Sequence, residues 1–362
     1  MPLRYLALLP LVGACDSTLD PDPPHELPYE TRTFAVSQSS TLVVTAFDQT
    51  AANNIAYEGP EIPTPRDSND TPILSLPAAS DVAIGRRHAC IISPTGSVHC
   101  WGDHSGGALG EQRACLPPEA EGGVPNCILD AGIMPSLPPV REIAAGDDVT
   151  CAITMDDRVA CWGDGSRTGG SRVPALDPPT PISLPGGELL AADRMIIARG
   201  IVCAIDFGQR LWCWGDGFGA RPELQPQTGV LDVSIGTRHS CIIDDAGFRC
   251  HGDNRNGQSG DFAEAKHCSK DKPCQLEETT IDLDATRVAV GERHTCALLR
   301  DGSVVCFGSN EVGQLGRNDA FLVGDVGFAL DGVTDLASGF AHVCAQRVDR
   351  SVWCWGSNLE NI

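Results

Sequence analysis

Residues 288–309 read VAVGERHTCALLRDGSVVCFGS, and this stretch decides the fold. It holds two short runs in which apolar residues alternate with others, on either side of a turn at Asp301-Gly302. Alternation of that kind around an Asp- and Gly-rich turn predicts two β-strands in a hairpin. Cys296 lies in the first run and Cys306 in the second, so each predicted strand carries one thiol.

The same pattern occurs five more times along the chain. The other units span residues 82–103, 143–164, 196–216, 233–253 and 336–357. The first cysteines of successive units are 38 to 61 residues apart, a period typical of solenoids, propellers and other repeat arrays. No unit shows sustained helical periodicity. Because small sheets must hide their edges and a closed ring does so, the units predict an all-β propeller.

The fifth unit shows the fullest version of the shared motif. It reads Gly291-Glu-Arg-His294-Thr-Cys296-Ala-Leu298, then Gly302-Ser-Val-Val-Cys306-Phe-Gly308-Ser-Asn310, then Gly313-Gln-Leu-Gly316. With these offsets recurring over residues 71–358, the chain resembles proteins built from the regulator-of-chromosome-condensation repeat. The resemblance implies a β-propeller with six recognisable blades, followed by a short C-terminal end at residues 359–362.

Three units depart from the motif, and the number of blades stays open. The third unit lacks the early Gly and the His, and the fourth has His251 where Trp is usual. The sixth stops at Asn358 without the closing Gly-Gln-Leu-Gly. Residues 31–70, with a strand-like run at 41–47, are either a degenerate seventh blade or a β segment that completes the last unit.

Cysteine pairs at one recurring spacing predict a disulfide inside every blade. Cys90 and Cys100 are symmetric about Thr95 in the turn, which places them directly opposite each other across the hairpin. Opposed residues at a non-hydrogen-bonded position have Cα atoms about 4.5 Å apart, within disulfide range. The predicted blade disulfides are Cys90–Cys100, Cys151–Cys161, Cys203–Cys213, Cys241–Cys250, Cys296–Cys306 and Cys344–Cys354.

Four further cysteines lie in insertions between units. Local pairing predicts two more disulfides, Cys115–Cys127 and Cys268–Cys274. Zinc is the alternative, but structural zinc sites usually take four ligands from closely spaced pairs, and pairs on separate blades do not converge easily. We therefore expect disulfides and no metal.

The N-terminus predicts export with a lipid anchor. A short apolar run precedes Val12-Gly13-Ala14-Cys15, which resembles a bacterial lipobox. We expect residues 1–14 to be a lipoprotein signal peptide and Cys15 to carry the lipid. Removing Cys15 leaves 16 of the 17 cysteines, an even number that suits an oxidising compartment. Residues 15–30 are acidic and rich in Pro, which predicts a disordered tether. The expected location is the bacterial cell envelope, periplasmic or at the cell surface.

The charge balance excludes one class of partner. The formal net charge is −22, whereas electrostatic binding to nucleic acid needs a basic face. The lysines of the chain all lie in one segment, Lys266, Lys270 and Lys272. That segment is either a solubilising loop or a contact for an acidic partner.

No residue pattern predicts catalysis. The sequence lacks a phosphate-binding Gly-x-x-x-x-Gly-Lys loop, a Gly-x-Ser-x-Gly elbow and a His-Glu-x-x-His zinc motif. The histidines that recur two residues before the first Cys, His88, His239, His294 and His342, predict a repeated hydrogen-bonding role. The aromatic residues after the second Cys, Trp101, Trp162, Trp214, Phe307 and Trp355, predict packing between blades. The run Asp253–Gly257 has some likeness to a calcium loop, but we interpret it as a turn. We expect no enzyme activity and no cofactor.

The function that these patterns favour is binding. We expect a monomeric, envelope-anchored propeller that binds a protein partner or ligand through a face built from variable loops. The alternative is a carbohydrate- or calcium-dependent wall-binding module, in which Trp212 and Trp353 would reach a surface. Guanine-nucleotide exchange, which the family resemblance brings in, rests on fold analogy alone and is opposed by the export signal and the acidic charge.

Overall fold

The structure is a computed structural model that describes thirteen stretches of the chain. They are residues 25–26, 31–36, 41–45, 55–58, 79–86, 88–103, 107–110, 128–134, 136–163, 179–198, 200–260, 275–316 and 327–357. Within these stretches, none of the secondary structure is a helix that is long and apolar enough to cross a membrane. The regular structure there is β-strand.

The described strands alternate with turns from one end of the chain to the other. In chain order they are β1 (His25–Glu26), β2 (Thr31–Val36), β3 (Thr41–Thr45), β4 (Ile55–Glu58), β5 (Asp81–Ile84), β6 (His88–Ile92), β7 (Val98–Asp103), β8 (Ile128–Ile133), β9 (Val140–Ala145), β10 (Val149–Thr154), β11 (Val159–Gly163), β12 (Thr180–Pro181), β13 (Arg194–Ala198), β14 (Ile201–Ile205), β15 (Leu211–Gly215), β16 (Glu223–Leu224), β17 (Asp232–Ile235), β18 (His239–Asp244), β19 (Gly247–Asp253), β20 (Gln275–Ile281), β21 (Ala285–Val290), β22 (His294–Leu299), β23 (Val304–Gly308), β24 (Gly327–Leu330), β25 (Val333–Ser338), β26 (His342–Arg347) and β27 (Val352–Gly356).

Each repeat unit forms one four-stranded antiparallel blade. Blades one to five consist of consecutive strands, β5–β8, β9–β12, β13–β16, β17–β20 and β21–β24. The first strand of each blade packs against the first strand of the next, so these inner strands surround a common axis. The prediction of an all-β propeller with six recognisable blades is confirmed.

The sixth blade takes its fourth strand from the other end of the chain. Strands β25, β26 and β27 follow one another, and β1 completes the sheet by pairing with β27, His25 opposite Cys354 and Glu26 opposite Trp353. The chain therefore departs from the predicted tether over residues 15–30 at these two positions. The outer edge of β27 has backbone groups that can pair with another strand, and the composition of residues 15–30 does not reveal this partner. Pairing with β27 makes His25 and Glu26 a strand.

A three-stranded sheet, β2–β4, occupies the gap between the first and sixth blades. Its strand β2 packs against β5 on one side and approaches β25 and β26 on the other. The inner strands of blades two, five and six each contain a bulge, and β2 has one in the same place, between Thr31 and Thr33. The choice between a degenerate seventh blade and a β segment that completes the last unit stays open for residues 31–70, because much of that range lies outside the described residues.

The blade disulfides are formed in the predicted register. In every blade the two cysteines face each other across the second and third strands, with Cα atoms 4.0 to 4.2 Å apart. The shorter pair, Cys241 and Cys250, keeps the opposition because β18 and β19 join through a turn that is one residue shorter. A closed loop of this size stabilises a hairpin by roughly 2–3 kcal/mol.

The third strand of each blade has, at its last or second-last position, a glycine that no other residue replaces easily. Gly308 has a φ of 115°, a left-handed conformation, and a Cβ there would lie 2.5 Å from the carbonyl oxygen of Arg293. Glycine alone adopts such a conformation without strain. The equivalent glycines of the other blades also have positive φ, which explains why the motif places Gly after its aromatic residue.

Side chains of one inner strand bind the backbone of the next. An inner strand has a free edge, so its N–H groups need acceptors. Glu142 Oε1 accepts from the N–H of Met195 at 2.8 Å, and Asp232 Oδ2 accepts from the N–H of Val288 at 2.9 Å. Arg194 pairs with the other oxygen of Asp232 at 3.1 Å. These contacts join blade two to three, three to four and four to five.

We predict that the disulfide of blade six is reduced first when a reductant is added in steps. Cys354 is partly exposed, whereas the other blade cysteines are at most 2% exposed, and access controls thiol–disulfide exchange. Mass mapping after alkylation should find label at Cys344 and Cys354 before it appears at Cys151 and Cys161, the buried control pair. Deleting residues 16–26, which removes β1, should increase the difference in reductant concentration at which the two pairs become labelled. Simultaneous labelling of both pairs would contradict the prediction.

Candidate functional site

A cavity opens on the axis where the inner strands end. Its volume is about 120 Å³, and the last residues of six inner strands and the turns after them line it. Its inner part is apolar, formed by Ile84, Ala145, Ile197, Ile235 and Val290. Around its mouth lie Arg86, Asp147, Glu292 and Phe340, the last of which is 42% exposed. We call this side of the molecule, with the turns at 85–86, 146–148, 236–238, 291–293 and 339–341, the cavity face.

Two long connections between the third and fourth strands of a blade begin and end at the same face. In blade one, Asp103 pairs with Ile128 at the end of the sheet where Ile84 pairs with Ala89. In blade four, Asp253 likewise pairs with Gln275. The chain that leaves β7 and β19 therefore departs from the cavity face and returns to it. The described strand ends that flank the insertions within 111–135 and 259–280 therefore lie on the side where the cavity opens.

Several residues singled out in the sequence lie outside the described residues. They are Cys15, Cys115, Cys127, Cys268, Cys274, Lys266, Lys270 and Lys272. The two insertion disulfides, the lipidation of Cys15 and the contact through the lysine segment therefore stay predictions.

Ion pairs order the cavity face beside blades four and five. Arg238 bonds Glu292 at 2.9 Å across the blade boundary, and its other nitrogen lies 3.7 Å from Asp253. Arg255 binds the same carboxylate at 2.6 Å. Burial raises the pKa of Asp253, but the hydrogen bonds and charge of Arg255 outweigh it and hold the pKa below its usual range. The carboxylate is therefore ionised and committed to arginine.

The run that begins at Asp253 is a turn, as interpreted from the sequence. The side-chain oxygen of Asn254 accepts from the N–H of Ser259 at 2.9 Å, and Gly257 donates to the carbonyl of Asn254. Both oxygens of Asn254 therefore accept hydrogen bonds from backbone N–H groups. Among the described residues, no group of three or more His, Cys, Asp or Glu is arranged to hold a metal ion.

The recurring histidines join neighbouring blades. Nε2 of His88 lies 2.8 Å from Oγ1 of Thr150, and Nε2 of His239 lies 2.7 Å from Oγ1 of Thr295. Each threonine hydroxyl donates onward to a backbone carbonyl, that of Ala108 or Gln258. Because the hydroxyl proton is used there, the histidine must donate, and its proton is on Nε2. The predicted hydrogen-bonding role is therefore found in the structure.

The histidines are also packed against the glycine that opens their turn. Gly291 donates to the carbonyl of His294 at 2.9 Å, and a Cβ at Gly291 would lie 2.1 Å from Cε1 of the imidazole ring. His294 itself reaches Ser338 in blade six at 2.9 Å. Burial lowers the pKa of His294 to about 3 and those of His239 and His342 to about 4. These rings are neutral structural groups on separate blades, and they do not meet at one point.

The aromatic residues pack between blades, as predicted. Trp162 donates to the carbonyl of Ala108 in the preceding blade at 2.8 Å, and Trp355 donates to that of Gln314 at 3.1 Å. Both carbonyls belong to the Gly-x-Leu-Gly loop that follows a third strand. The loop of blade three, at 216–222, lacks this motif. The next blade correspondingly has His251, which is exposed, at the position of the aromatic.

The two extra tryptophans do not form a sugar-stacking surface. Trp212 is 9% exposed and donates to Asp206 at 2.9 Å, with Arg210 over its ring. Trp353 is half-buried and donates to Ser351 at 3.0 Å. The expectation that Trp212 reaches a surface is wrong, because its hairpin partner residues cover the ring.

The residues that accept hydrogen bonds from the motif histidines and from the inner-strand N–H groups were not predicted from the sequence. Thr150 and Thr295 precede the first Cys of their units, and Ser338 ends an inner strand. Glu142 and Asp232 lie three residues before the ends of their inner strands. A hydroxyl beside the first Cys, one unit after a motif histidine, was the available signal. Acidic residues of inner strands gave no such signal, because their partners lie on the backbone of another blade.

Comparison with known proteins agrees with the observed repeat. Residues 79–107, 140–167 and 285–314, in blades one, two and five, match the family described as the regulator of chromosome condensation (RCC1) repeat. Protein pim1 of Schizosaccharomyces pombe is 26% identical over 281 residues, which cover 68% of this chain and 50% of pim1. The Ultraviolet-B receptor UVR8 of Arabidopsis thaliana is 25% identical over 277 residues, covering 69% of this chain and 59% of the receptor. The chain thus spans about half the length of these curated relatives.

A solved structure has the same fold. The structure described as Kap60 bound to yeast RCC1 (Prp20) superimposes with a TM-score of 0.62 at 17% sequence identity, covering 81% of this chain and 75% of that one. The chain is therefore similar to proteins of the RCC1 repeat family, with repeat matches in three of its blades and relatives that share about a quarter of their residues with it.

We predict that stability falls as pH drops from about 6.5 toward 4. Below its ordinary pKa of about 6.5 an unfolded histidine binds a proton, whereas folded His239, His294 and His342 stay neutral until pH reaches about 4 or 3. The unfolded chain then binds more protons, so stabilisation that is complete above pH 6.5 is lost progressively. Burial raises the pKa of Glu142 and partly offsets this trend.

Urea unfolding at stepped pH measures the effect. His294→Gln should flatten the slope between pH 4.5 and 5.5 by about 1.4 kcal/mol per pH unit, the value for one proton. An unchanged slope in the variant would show that His294 binds its proton equally in both states.

Proposed function

We propose that this chain is a non-enzymatic, exported propeller that binds a protein partner through its cavity face. The observation that carries the proposal is that the strand ends from which two long connections leave, and to which they return, lie at the same face as the central cavity. A rigid ring that presents variable connections is the usual arrangement of a binding scaffold. Proteins with RCC1-like propellers bind protein partners, as the yeast RCC1 complex with Kap60 illustrates for that protein.

The chemistry of the cavity mouth suits a protein ligand. An exposed Phe340 and an apolar interior lie beside paired charges, of which Arg238 and Glu292 are an example. Apolar anchors surrounded by polar groups are typical of protein interfaces. The cavity is smaller than most small-molecule pockets, which favours insertion of a side chain over binding of a whole ligand.

Export is supported by the cysteines. Six disulfides, one in each blade, require an oxidising compartment to form and persist. The lipobox-like segment before Cys15 supports a lipid anchor. Together they favour the bacterial envelope as the location, with the membrane contacted through the lipid.

We predict that changes at the cavity face abolish capture of the partner from envelope extracts. Phe340→Glu, or replacement of residues 262–274 by a Gly-Ser linker of equal length that removes Cys268 and Cys274 together, should reduce capture about tenfold or more, because a buried anchor contributes at least about 1.4 kcal/mol. Val348→Glu is the matched control, since Val348 is also exposed and apolar but lies at the opposite end of blade six. Equal loss in the control, or none in either cavity-face variant, would reject this face.

We predict that Cys15→Ala releases the chain from membranes into the soluble fraction of the envelope. The thiol of Cys15 is the atom that would accept the lipid, and alanine offers no nucleophile. Fractionation with an antibody to the propeller measures the distribution. Cys203→Ala, which removes a blade cysteine, controls for general damage. Continued membrane association of C15A would refute the anchor while leaving the binding proposal intact.

A further inference from the structure

The side opposite the cavity face has its own exposed apolar residues. It is formed by the turns between the second and third strands of the blades, and we call it the hairpin face. Equivalent tip residues of these turns are Pro94, Met155, Phe207, Asp245, Arg300 and Val348. In the neighbouring blades two and three the tips are Met155 and Phe207, each 60% exposed.

Two leucines extend this apolar surface. Arg158 donates to the carbonyl of Leu189 at 3.0 Å, which holds Leu189 against the turn of blade two. Val230 donates to the carbonyl of Gln209 at 2.9 Å, which places Leu231 beside the turn of blade three. Leu189 is 42% and Leu231 41% exposed. We call Met155, Leu189, Phe207 and Leu231 the apolar strip.

Carboxylates without a counter-ion surround the apolar strip. Asp156, Glu188, Asp193 and Asp245 are exposed and form no ion pair with any described residue. Most of the nearby arginines form ion pairs with other carboxylates.

Arg141 pairs with Asp157 at 3.0 Å and Arg210 with Asp206 at 2.7 Å. Only Arg158, bound to a carbonyl, adds positive charge without a carboxylate partner here. The strip is thus apolar at its centre and acidic at its rim.

We infer that the apolar strip is a second docking surface, which takes a protein segment with aliphatic or aromatic side chains flanked by Lys or Arg. Exposed apolar residues scattered singly are ordinary, but these four lie at or beside the hairpin tips of two adjacent blades, and clustered exposed apolar residues mark interfaces. The acidic rim would attract a basic partner and repel other acidic proteins. An anionic membrane surface is repelled for the same reason. The inference is independent of the cavity face.

A pair of synthetic peptides tests the inference on the full-length chain. The probe is a short fluorescein-labelled peptide of alternating Leu and Lys, and its control replaces every Lys by Glu. Fluorescence anisotropy should detect binding of the Lys peptide that weakens with salt, and none of the Glu peptide. Hydrogen exchange should show protection at residues 154–158 and 206–210.

Matched variants locate the contact. The double variant Met155→Ser, Phe207→Ser should weaken binding about tenfold or more, whereas Val348→Ser, which removes the more exposed tip of blade six, should leave it unchanged. Because these three side chains are exposed, thermal unfolding of all variants should match the parent chain. Asp156→Asn with Glu188→Gln should reduce the salt dependence.

Three results of the peptide experiments would overturn the inference. They are equal weakening by Val348→Ser, undiminished binding by the double variant, and protection confined to the cavity face. A dimer that the double variant dissolves would also overturn it, by identifying a second copy of this chain as the occupant.

Discussion

Every part of this molecule depends on the contact between one blade and the next. A four-stranded sheet of this size cannot bury its faces or its inner edge by itself. The neighbouring blade covers these faces and supplies hydrogen-bonding partners for the inner edge. A carboxylate of one inner strand accepts a backbone N–H of the next, as Asp232 does for Val288, and a histidine of one blade donates to a hydroxyl of another, as His239 does to Thr295. The disulfides act within blades, whereas these contacts act between them.

The hairpin register could be predicted from the sequence because it is a local property. Two cysteines placed symmetrically about a turn must face each other, and the six observed pairs do so. The packing of the aromatic residues between blades could also be predicted, because a bulky residue that recurs beside glycine is typical of such packing. The same reasoning found the turn at Asp253, where offsets within one unit carried the information.

What the sequence did not reveal depends on distant parts of the chain. Nothing in the composition of His25 and Glu26 distinguishes them from the acidic, Pro-rich segment around them, and the edge that orders them lies at Trp353 and Cys354. The acceptors Glu142 and Ser338 were missed because their partners belong to other blades. Trp212 was placed at a surface because the sequence reveals neither its hydrogen bond to Asp206 nor the packing of Arg210 over its ring. The face on which the cavity opens likewise follows from strand direction, which emerges once the blades are assembled.

The pairing of β1 with β27 gives the order of synthesis a physical meaning. The fourth strand of the sixth blade lies more than three hundred positions before the other three strands. Contacts of such long range are slow to form, because the intervening chain must close a loop before they return any free energy. Until the last hairpin emerges, β1 has no sheet to join, and until β1 arrives the edge of β27 is open to strands of other molecules. The hairpin disulfides need only local encounters, so individual blades can form during that interval. The pairing of β1 with β27 then completes the ring in one late step.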